Sequence, residues 1–377
     1  MSEPDSARQV VAIFGSYAPS LTNFRGDLIA EMVRRGHRVI ALAPEIDQST
    51  ADRLRSLGAE PVDVPLGRTS INPFGAMRTY RQLRRRVSDI RPDVLIAYTI
   101  KPVILGARVA RDLRIPRFVP MITGLGYAFL GQRGLKRRAI RETARQLYRR
   151  ALKRAHVAIF QNADDRRDFQ AMNILAPSTP TLVVNGSGID LEHFSQQPLP
   201  DQPRFLMISR LLRDKGIREF AAASKRLKQA RPDASISLVG WRDESPDSIS
   251  QAELDAMVAG GTSFLGKLDD VRPALAECSV YVLPSYREGT PRSVLEALAI
   301  GRPVITTDAP GCRETVVDGE NGLLVPPRDA ESLYEAMLRL ADDQGFRMRM
   351  AAKSRTIAED KYDVRQVNLA ILEAAGL

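Results

Sequence analysis

Residues 280–307 read VYVLPSYREGTPRSVLEALAIGRPVITT. The run 280–285 is short, apolar and rich in β-branched and aromatic residues, which is typical of a strand buried on both faces. A second run of this kind, 304–307, follows it, and we predict a helix in between. Strand, helix and strand in succession predict two parallel strands joined by a right-handed crossover.

The same alternation extends in both directions from this stretch. We predict further strands at 205–209 and 235–239 with a helix at 217–229, and an earlier series with strands at 10–14, 39–43, 94–98 and 117–122 and helices at 24–35, 83–87 and 104–113. This predicts an α/β protein with two doubly wound, Rossmann-like parallel-sheet domains that face an inter-domain groove. Ligands of such sheets bind beyond the carboxyl ends of the strands.

The domain boundaries follow from composition. Residues 190–203 carry prolines at 198, 200 and 203, which favours a linker. We therefore expect an N-terminal Rossmann-like domain over 1–192 and a C-terminal Rossmann-like domain over 203–357. We expect the last segment, 358–377, to be a helix that crosses back to the N-terminal domain.

The charge balance is strongly basic. The 377 residues carry a formal net charge of +10, which favours anionic partners such as anionic lipid or phosphorylated substrates. The two cysteines, Cys278 and Cys312, are far apart in the chain and fit a reducing compartment. No apolar run is long enough for a signal peptide or a membrane span. We expect a cytoplasmic protein.

The loop after the strand at 280–285 has the features of a diphosphate site. Gly289 lets backbone amides approach a ligand, and Pro291 suits the first helical position with Thr290 as its cap. A helix N-terminus favours a bound anion. Glu288 and Glu296 flank this position, where carboxylates suit sugar and ribose hydroxyls. The alternative is a glutamate pair that only caps and solvates the helix start.

A basic cluster follows the first strand of the second domain. Arg210, Arg213 and Lys215 come after the strand at 205–209 and before a helix. Cations at a strand's carboxyl end can bind a diphosphate and stabilise charge as it departs. The alternative is a solvated basic turn.

These residues resemble a known family. Glu288 and Glu296 form the E-x7-E pattern, and Arg210 with Lys215 the Arg…Lys pair, of retaining glycosyltransferases of family 4 with the GT-B fold. The resemblance extends over nearly the whole chain, through Gly15-Ser16 and through the motifs RGHRV at 35–39, NGSGID at 185–190 and DGENGLLV at 318–325.

A narrower resemblance points to the acceptor. The segments NFR at 23–25, TIKP at 99–102 and ITGLGY at 122–127 are similar to those of bacterial transferases that extend undecaprenyl-diphosphate-linked sugars in glycan, capsule or O-antigen assembly. The resemblance implies a UDP-sugar donor, often a UDP-N-acetylhexosamine. It also implies a retaining hexosyltransferase that requires no cofactor.

The resemblance assigns roles to residues of the second domain. Glu296 would bind the ribose and Glu288 would face the donor sugar, while Arg210 and Lys215 would hold the diphosphate. The last donor-binding predictions are the amides around Gly289 and Thr290, the base-binding turn that ends at Leu268, and Gly15 in the first-domain loop.

One departure from the family concerns histidine. Many members have a His in the loop that here reads TGLGY at 123–127, whereas this chain has only His37, His156 and His193, each in a structural context. The reaction would then depend on leaving-group assistance and electrostatics. The adjacent acids at 164–165, 269–270 and 342–343 are typical of helix caps or solvated faces. We expect no metal site.

Three first-domain residues are predicted to bind the acceptor. Asn23 and Arg25 lie near the first strand's carboxyl end, and Lys101 follows the strand at 94–98. They suit the phosphates of a polyprenyl diphosphate. The alternative is that Arg25 pairs with Asp27 or Glu31 and that Lys101 is solvated.

A basic helix at 133–154 is the predicted membrane contact. It reads RGLKRRAIRETARQLYRRALKR and carries one acid, Glu142. Anionic headgroups attract such a face with about 1 kcal/mol per basic residue. We expect peripheral binding to the inner face of the cytoplasmic membrane and no nucleic acid partner. The alternative is an ordinary helix solubilised by its arginines.

Three other functions fit parts of the sequence. A UDP-sugar 2-epimerase or hydrolase of the same architecture would bind the same donor. A dinucleotide-dependent oxidoreductase would need G-x-G-x-x-G after the first strand, but the chain reads GSYAPS at 15–20. A basic membrane scaffold would have no need of the paired cations and glutamates.

Overall fold

The computed structural model describes residues 8–66, 73–125, 135–242, 245 and 247–377, with residues 73–76 and 135–137 described by their backbone only. It divides into two compact units, Met1–Ser187 with Gln366–Leu377, and Gly188–Arg365. Sequence reasoning set the boundaries at 192, 203 and 358, so residues 188–192, assigned above to the first domain, belong here to the second unit.

Unit 1 contains a seven-stranded sheet in its described residues, with strand order β3-β2-β1-β4-β5-β6-β7. All its pairings are parallel. The strands are β1 Val10–Phe14, β2 Arg38–Ala43, β3 Glu60–Asp63, β4 Val94–Tyr98, β5 Arg117–Ile122, β6 Ala158–Phe160 and β7 Thr181–Val183. The helices are α1 Pro19–Asn23, α2 Gly26–Arg34, α3 Gln48–Ser56, α4 Pro73–Ile90, α5 Ile100–Asp112, α6 Leu135–Leu152 and α7 Ala163–Ala171.

Unit 2 contains a six-stranded parallel sheet in its described residues, with order β10-β9-β8-β11-β12-β13. The strands are β8 Arg204–Ile208, β9 Ser235–Val239, β10 Ser263–Phe264, β11 Val280–Leu283, β12 Val304–Thr307 and β13 Gly322–Val325. The helices are α8 Ile217–Ala230, α9 Gln251–Ala259, α10 Arg272–Glu277, α11 Arg292–Ile300, α12 Ala330–Asp342, α13 Gln344–Tyr362 and α14 Val364–Ala375, the last of which continues into unit 1.

The predicted strands match the sheets to within one or two residues. Strands β1, β4, β5, β9 and β12 have the predicted bounds. The predicted helix at 24–35 corresponds to α2, which begins only at Gly26. A separate short helix, α1, precedes it. Arg25 separates the two helices because its backbone, with φ −126° and ψ 0°, is not helical. The predicted terminal helix at 358–377 is two helices, α13 and α14, separated at Asp363.

Helix α14 completes the core of unit 1. Its residues Val367, Ile371 and Leu372 are at most 5% exposed and pack with Val11 and Ile13 of β1. The core of unit 2 forms around its own central strands and helices. Each sheet is therefore covered on its faces, as parallel sheets require.

A buried arginine fixes the linker to unit 2. Arg302 is fully buried, and its guanidinium donates to the carbonyl oxygens of Gln197 at 3.0 Å, Pro198 at 2.9 Å and Leu275 at 2.9 Å. Because its donors are satisfied by backbone oxygens, the charge is accommodated in the interior. The prolines that favoured a linker thus lie along a segment that the folded unit holds in place.

Candidate active site

The loop after β8 carries Arg210, Arg213 and Lys215 and is called the cation loop below. It lies against the end of β11. Residues Arg213–Lys215 form a 3₁₀ turn, and Gly216 then takes φ +71° before α8 begins. A Cβ atom on Gly216 would lie 2.1 Å from the carbonyl oxygen of Pro284. Only glycine allows both this backbone conformation and this close approach. The sequence therefore brings Lys215 directly next to the loop that follows β11.

Lys215 and Glu288 form an ion pair. The Nζ atom of Lys215 lies 2.5 Å from Oε1 of Glu288, and the Ser285 hydroxyl donates to the same oxygen at 2.7 Å. Both charged side chains are only 15% exposed. The Glu288 amide also donates to the Pro310 carbonyl oxygen at 3.0 Å. Two residues that were predicted from separate motifs are thus held together in a site partly shielded from water.

Glu296 lies on α11 in the second helical turn. Its Oε1 atom is 3.1 Å from Nε of Arg292, one turn earlier, and its side chain is 13% exposed. Burial raises the pKa of the Glu296 carboxyl, and the neighbouring Arg292 opposes that rise. The pair places a carboxylate oxygen and a guanidinium near the start of α11.

The predicted cap of this helix is wrong. Pro291, with φ −73° and ψ 110°, is itself the N-cap, so α11 begins at Arg292 and no side chain caps it. Thr290 precedes the N-cap by one residue and is therefore not the capping residue. Its hydroxyl instead donates to the Gly289 carbonyl oxygen at 2.9 Å.

The remaining predicted donor residues of unit 2 lie at the same edge of the sheet. Arg210 is exposed two residues beyond the end of β8. Leu268 follows β10 and packs, half-buried, against the unit 2 core. The carboxyl ends of parallel strands share one edge, so the loops after β8, β10 and β11 converge there.

Sequence reasoning missed several groups around this cluster. Ser285 and Arg292 contact the two glutamates, as described above. Asp214 lies between Arg213 and Lys215 in the chain. Burial is the main cause that raises the pKa of its carboxyl, and Lys215 opposes the rise. The Tyr286 hydroxyl donates to Oε1 of Glu219 at 2.7 Å, and the Arg328 guanidinium lies 4.4 Å from the centre of the Tyr286 ring. Ser285, Tyr286 and Arg328 lie within three residues of a strand end, which is a sequence signal, whereas Glu219 and Arg292 lie on helices and have none.

The predicted acceptor residues lie on unit 1. Arg25 is 3% exposed and its guanidinium lies 5.3 Å from the centre of the Tyr98 ring. Glu31, one of its two predicted alternative partners, is bound instead by Arg34 at 2.7 Å and Arg35 at 2.9 Å.

The other two predicted acceptor residues differ in exposure. Lys101 lies in the first turn of α5, where burial lowers the pKa of its ammonium group. Asn23 is exposed at the end of α1.

The loops after β1 and β4 are joined by hydroxyl groups. The Ser16 and Thr99 hydroxyls lie 2.8 Å apart, as do those of Ser20 and Tyr98. Thr99 has φ +68°, which is an outlier for a β-branched residue, and such strained residues cluster at functional sites. A Cβ atom on Gly15 would lie 2.3 Å from the Tyr98 hydroxyl oxygen, so a larger residue here would displace the buried Tyr98 side chain.

The basic helix is α6 in the structure. Residues 133–134 and the side chains of 135–137 lie outside the described residues, as do Gly126 and Tyr127 of the acceptor motif. Tyr148 and Leu152 are buried, and the Tyr148 ring packs edge-on against Phe169 with centroids 5.2 Å apart. The opposite face is exposed and basic, and it includes the half-exposed apolar residues Ile140 and Leu147.

Two features are absent from the described part of the chain. Among these residues, no group of three or more His, Cys, Asp or Glu side chains could hold a metal ion. In the same part, no helix combines the length and the apolar character needed to cross a membrane.

Comparison with known proteins identifies the family. Residues 22–186 match a model described as a glycosyl transferase 4-like domain, and residues 202–343 match the model of glycosyl transferases group 1. The chain is 30% identical over 346 residues to N,N'-diacetylbacillosaminyl-diphospho-undecaprenol alpha-1,3-N-acetylgalactosaminyltransferase of Campylobacter jejuni, covering 88% of this chain and 89% of the relative. The chain belongs to the group 1 glycosyltransferases.

More distant relatives agree with this assignment. UDP-Gal:alpha-D-GlcNAc-diphosphoundecaprenol alpha-1,3-galactosyltransferase of Escherichia coli is 25% identical over 74% of each chain. Among solved structures, sucrose-phosphate synthase of Thermosynechococcus elongatus has a TM-score of 0.80 at 19% identity, covering 97% of this chain and 98% of that one. HepE of Anabaena, in complex with UDP and glucose, has a TM-score of 0.79 at 18% identity, covering 98% and 99%. These structures confirm the predicted GT-B fold.

Proposed function

We propose that this glycosyltransferase moves a hexose or N-acetylhexosamine from a UDP-sugar to a saccharide linked to a polyprenyl diphosphate, with retention of configuration and without a metal ion. The observation that carries the proposal is the contact of Glu288 with both Lys215 and Ser285 at the carboxyl edge of the unit 2 sheet. The Campylobacter jejuni and Escherichia coli relatives are named as transferases to undecaprenol-diphosphate-linked sugars, which supports this class of acceptor.

The donor's charge explains the cations. A UDP-sugar carries a diphosphate whose negative charge grows as the bond from the sugar C1 to the phosphate oxygen breaks. Lys215 and the exposed Arg210 stabilise that charge. A preorganised cation acts most strongly where water is partly excluded, as it is around Lys215. Lys215 lies against Glu288 in the structure, so the diphosphate shares or replaces that contact when it binds.

The glutamates position the two ends of the donor. Glu296 accepts hydrogen bonds from ribose hydroxyls, and Glu288 accepts them from the donor sugar. The acceptor hydroxyl attacks C1 on the face that the diphosphate leaves, and its proton passes to a departing phosphate oxygen. This route needs no histidine: in the structure His37 is buried, with the pKa of its imidazole lowered by desolvation, and His193 packs against Phe194.

The acceptor is assigned to unit 1. Arg25 and Lys101 supply two cations near the carboxyl edge of that sheet, and a polyprenyl diphosphate offers phosphates that match them. The strained Thr99 and the Ser16 hydroxyl lie at the same edge. The two cations and the two hydroxyl groups would together orient the lipid-linked sugar.

Peripheral membrane binding at the inner face of the cytoplasmic membrane follows from the acceptor. A polyprenyl chain stays in the bilayer, so the enzyme must work at its surface. The exposed face of α6 carries Arg138, Arg141, Arg149 and Arg150, and Ile140 and Leu147 add apolar area. Basic residues with interspersed apolar side chains are typical of interfacial helices.

The test is transfer by the purified full chain. A panel of UDP-hexoses and UDP-N-acetylhexosamines is incubated with a polyprenyl-diphosphate-linked monosaccharide, and the lipid product is identified by mass spectrometry. We expect one donor to extend the acceptor by one sugar. An isomerised or hydrolysed donor with no extended lipid would contradict the proposal and favour an epimerase or hydrolase.

Matched variants test the site. Lys215→Ala and Glu296→Ala should each lower the transfer rate by a factor on the order of 10² to 10³, as loss of one preorganised electrostatic contact does. Lys225→Ala and Glu335→Ala remove the same charges from exposed positions on α8 and α12 and should retain the wild-type rate. Equal rates in all four variants would refute the site.

A further inference from the structure

Trp241 is the single tryptophan of the chain. It lies at the carboxyl edge of the unit 2 sheet, and none of the roles assigned above involves it. It follows β9 by two residues and the residue is 42% exposed. Tryptophan is highly buried on average and is enriched at interfaces, where its large ring can contact a partner. The Lys267 ammonium nitrogen lies 5.7 Å from the centre of its ring, within the range of a cation–π contact.

The backbone around Trp241 is fixed to the loops on both sides. The Trp241 carbonyl oxygen accepts from the Leu211 amide at 3.0 Å, and the Gly240 amide donates to the Gly266 carbonyl oxygen at 2.8 Å. A Cβ atom on Gly240 would lie 1.9 Å from the Ser209 carbonyl oxygen, so the loops after β9 and β8 are in direct backbone contact. Trp241 is therefore held between the cation loop and the turn at 266–268.

The strand order places Trp241 on a definite side of the cation loop. Along the sheet edge the sequence of strands is β10, β9, β8 and β11. Glu288, which faces the donor sugar, follows β11, and the cations follow β8. Trp241 follows β9 and lies on the other side of the cations. A nucleoside diphosphate sugar has the same order of parts: sugar, diphosphate, nucleoside.

We infer that the Trp241 indole is the stacking platform for the nucleobase of the donor. The inference rests on the proposed function, since it assigns the base end of the same nucleotide-sugar site. Every nucleobase has a π face that stacks on an aromatic ring, and removing such a ring weakens binding by about 1–3 kcal/mol per base. Lys267 orients the ring by its contact with it.

The first experiment uses Trp241 itself as the reporter. Since the chain has one tryptophan, selectively excited indole emission reports on this residue alone. UDP should quench or shift the emission of the wild-type protein in a saturable manner, whereas inorganic diphosphate, which has no base, should leave the emission nearly unchanged while it still competes with UDP-sugar. An unchanged emission at saturating UDP would overturn the inference.

The second experiment measures affinity by calorimetry. Trp241→Ala should raise the Kd for UDP on the order of 5- to 100-fold and leave the affinity for inorganic diphosphate unchanged. Trp241→Phe, which keeps an aromatic face, should recover most of the loss. Val258→Ala removes an exposed apolar side chain from α9 and should bind both ligands as the wild type does.

The outcomes separate this inference from the proposed function. If Trp241→Ala binds UDP as tightly as the wild type, or loses UDP and diphosphate affinity equally, then stacking is refuted while transfer by the wild type still supports the proposed function. If the wild-type chain neither binds UDP nor transfers sugar, the proposed function itself fails.

Discussion

Gly216→Ala tests whether the contact between two loops produces the active site. Gly216 has φ +71°, and an added Cβ atom would lie 2.1 Å from the Pro284 carbonyl oxygen, where ordinary contact begins at 3.4 Å. The two segments must then separate by about 1 Å, because neither partner is a flexible side-chain end. Lys215 lies on one segment and Ser285 on the other, so the separation moves the groups that hold Glu288.

A matched variant separates the two parts of the destabilisation by Gly216→Ala, the backbone cost and the overpacking cost. Gly319 has φ +78° and no heavy atom within 4 Å of an added Cβ. Gly319→Ala therefore carries only the left-handed backbone cost, about 1–2 kcal/mol, less about 0.4–1 kcal/mol from the restricted unfolded chain. Gly216→Ala adds overpacking of about 1–3 kcal/mol. A displacement of about 1 Å in an active site lowers rates on the order of 10²-fold.

Steady-state transfer and thermal unfolding give the two readouts. We expect Gly319→Ala to lower Tm by at most about 6 °C and to keep kcat/KM for the UDP-sugar near the wild-type value. Gly216→Ala should unfold at a lower temperature still and lose kcat/KM on the order of 10²-fold while folded. If Gly216→Ala retains the kcat/KM of Gly319→Ala, the loops do not act through their contact and the reasoning is refuted.

Four further outcomes follow from the proposed function. Excess EDTA should leave the transfer rate unchanged, and a loss that magnesium or manganese restores would show a metal requirement. The glycosidic product should be the α-anomer, and a β-type coupling constant in its NMR spectrum would exclude retention. Arg25→Ala and Lys101→Ala should raise KM for the lipid acceptor far more than KM for the UDP-sugar; equal effects would place the phosphates elsewhere. Arg149→Ala with Arg150→Ala should weaken binding to vesicles that contain anionic lipid by up to about 1 kcal/mol per residue, with neutral vesicles as the control.

The sheets were predictable from the sequence because their strands are buried on both faces. Runs such as Val94–Tyr98 and Val304–Thr307 are continuous, apolar and β-branched, so their ends are sharply marked. Helix starts were harder to predict. The break between α1 and α2 at Arg25 and the shift of the α11 start to Arg292 depend on single backbone angles that no spacing pattern reports.

The candidate site was partly predictable for a similar reason. Glu288 and Lys215 stand in motifs with fixed spacing next to strand ends, whereas Thr99 and Trp241 have no repeating signal in the sequence. The strain at Thr99 and its contact with Ser16 join residues 83 positions apart, and only the folded chain brings them together. The position of Trp241 beside the cation loop follows from the order of strands in the sheet, which the sequence alone does not give.

The return of α14 to the core of unit 1 affects how the protein is made on the ribosome. Residues 1–187 leave the exit tunnel first, but the segment that completes their core begins at residue 366, after the 178 residues of 188–365. At about 5–20 residues per second, this gap lasts roughly 9–36 s. During that interval the apolar surface that Ile371 and Leu372 finally cover is open to water or to a chaperone. Unit 2 has its whole sequence first, so we expect the N-terminal half of this enzyme to finish folding last.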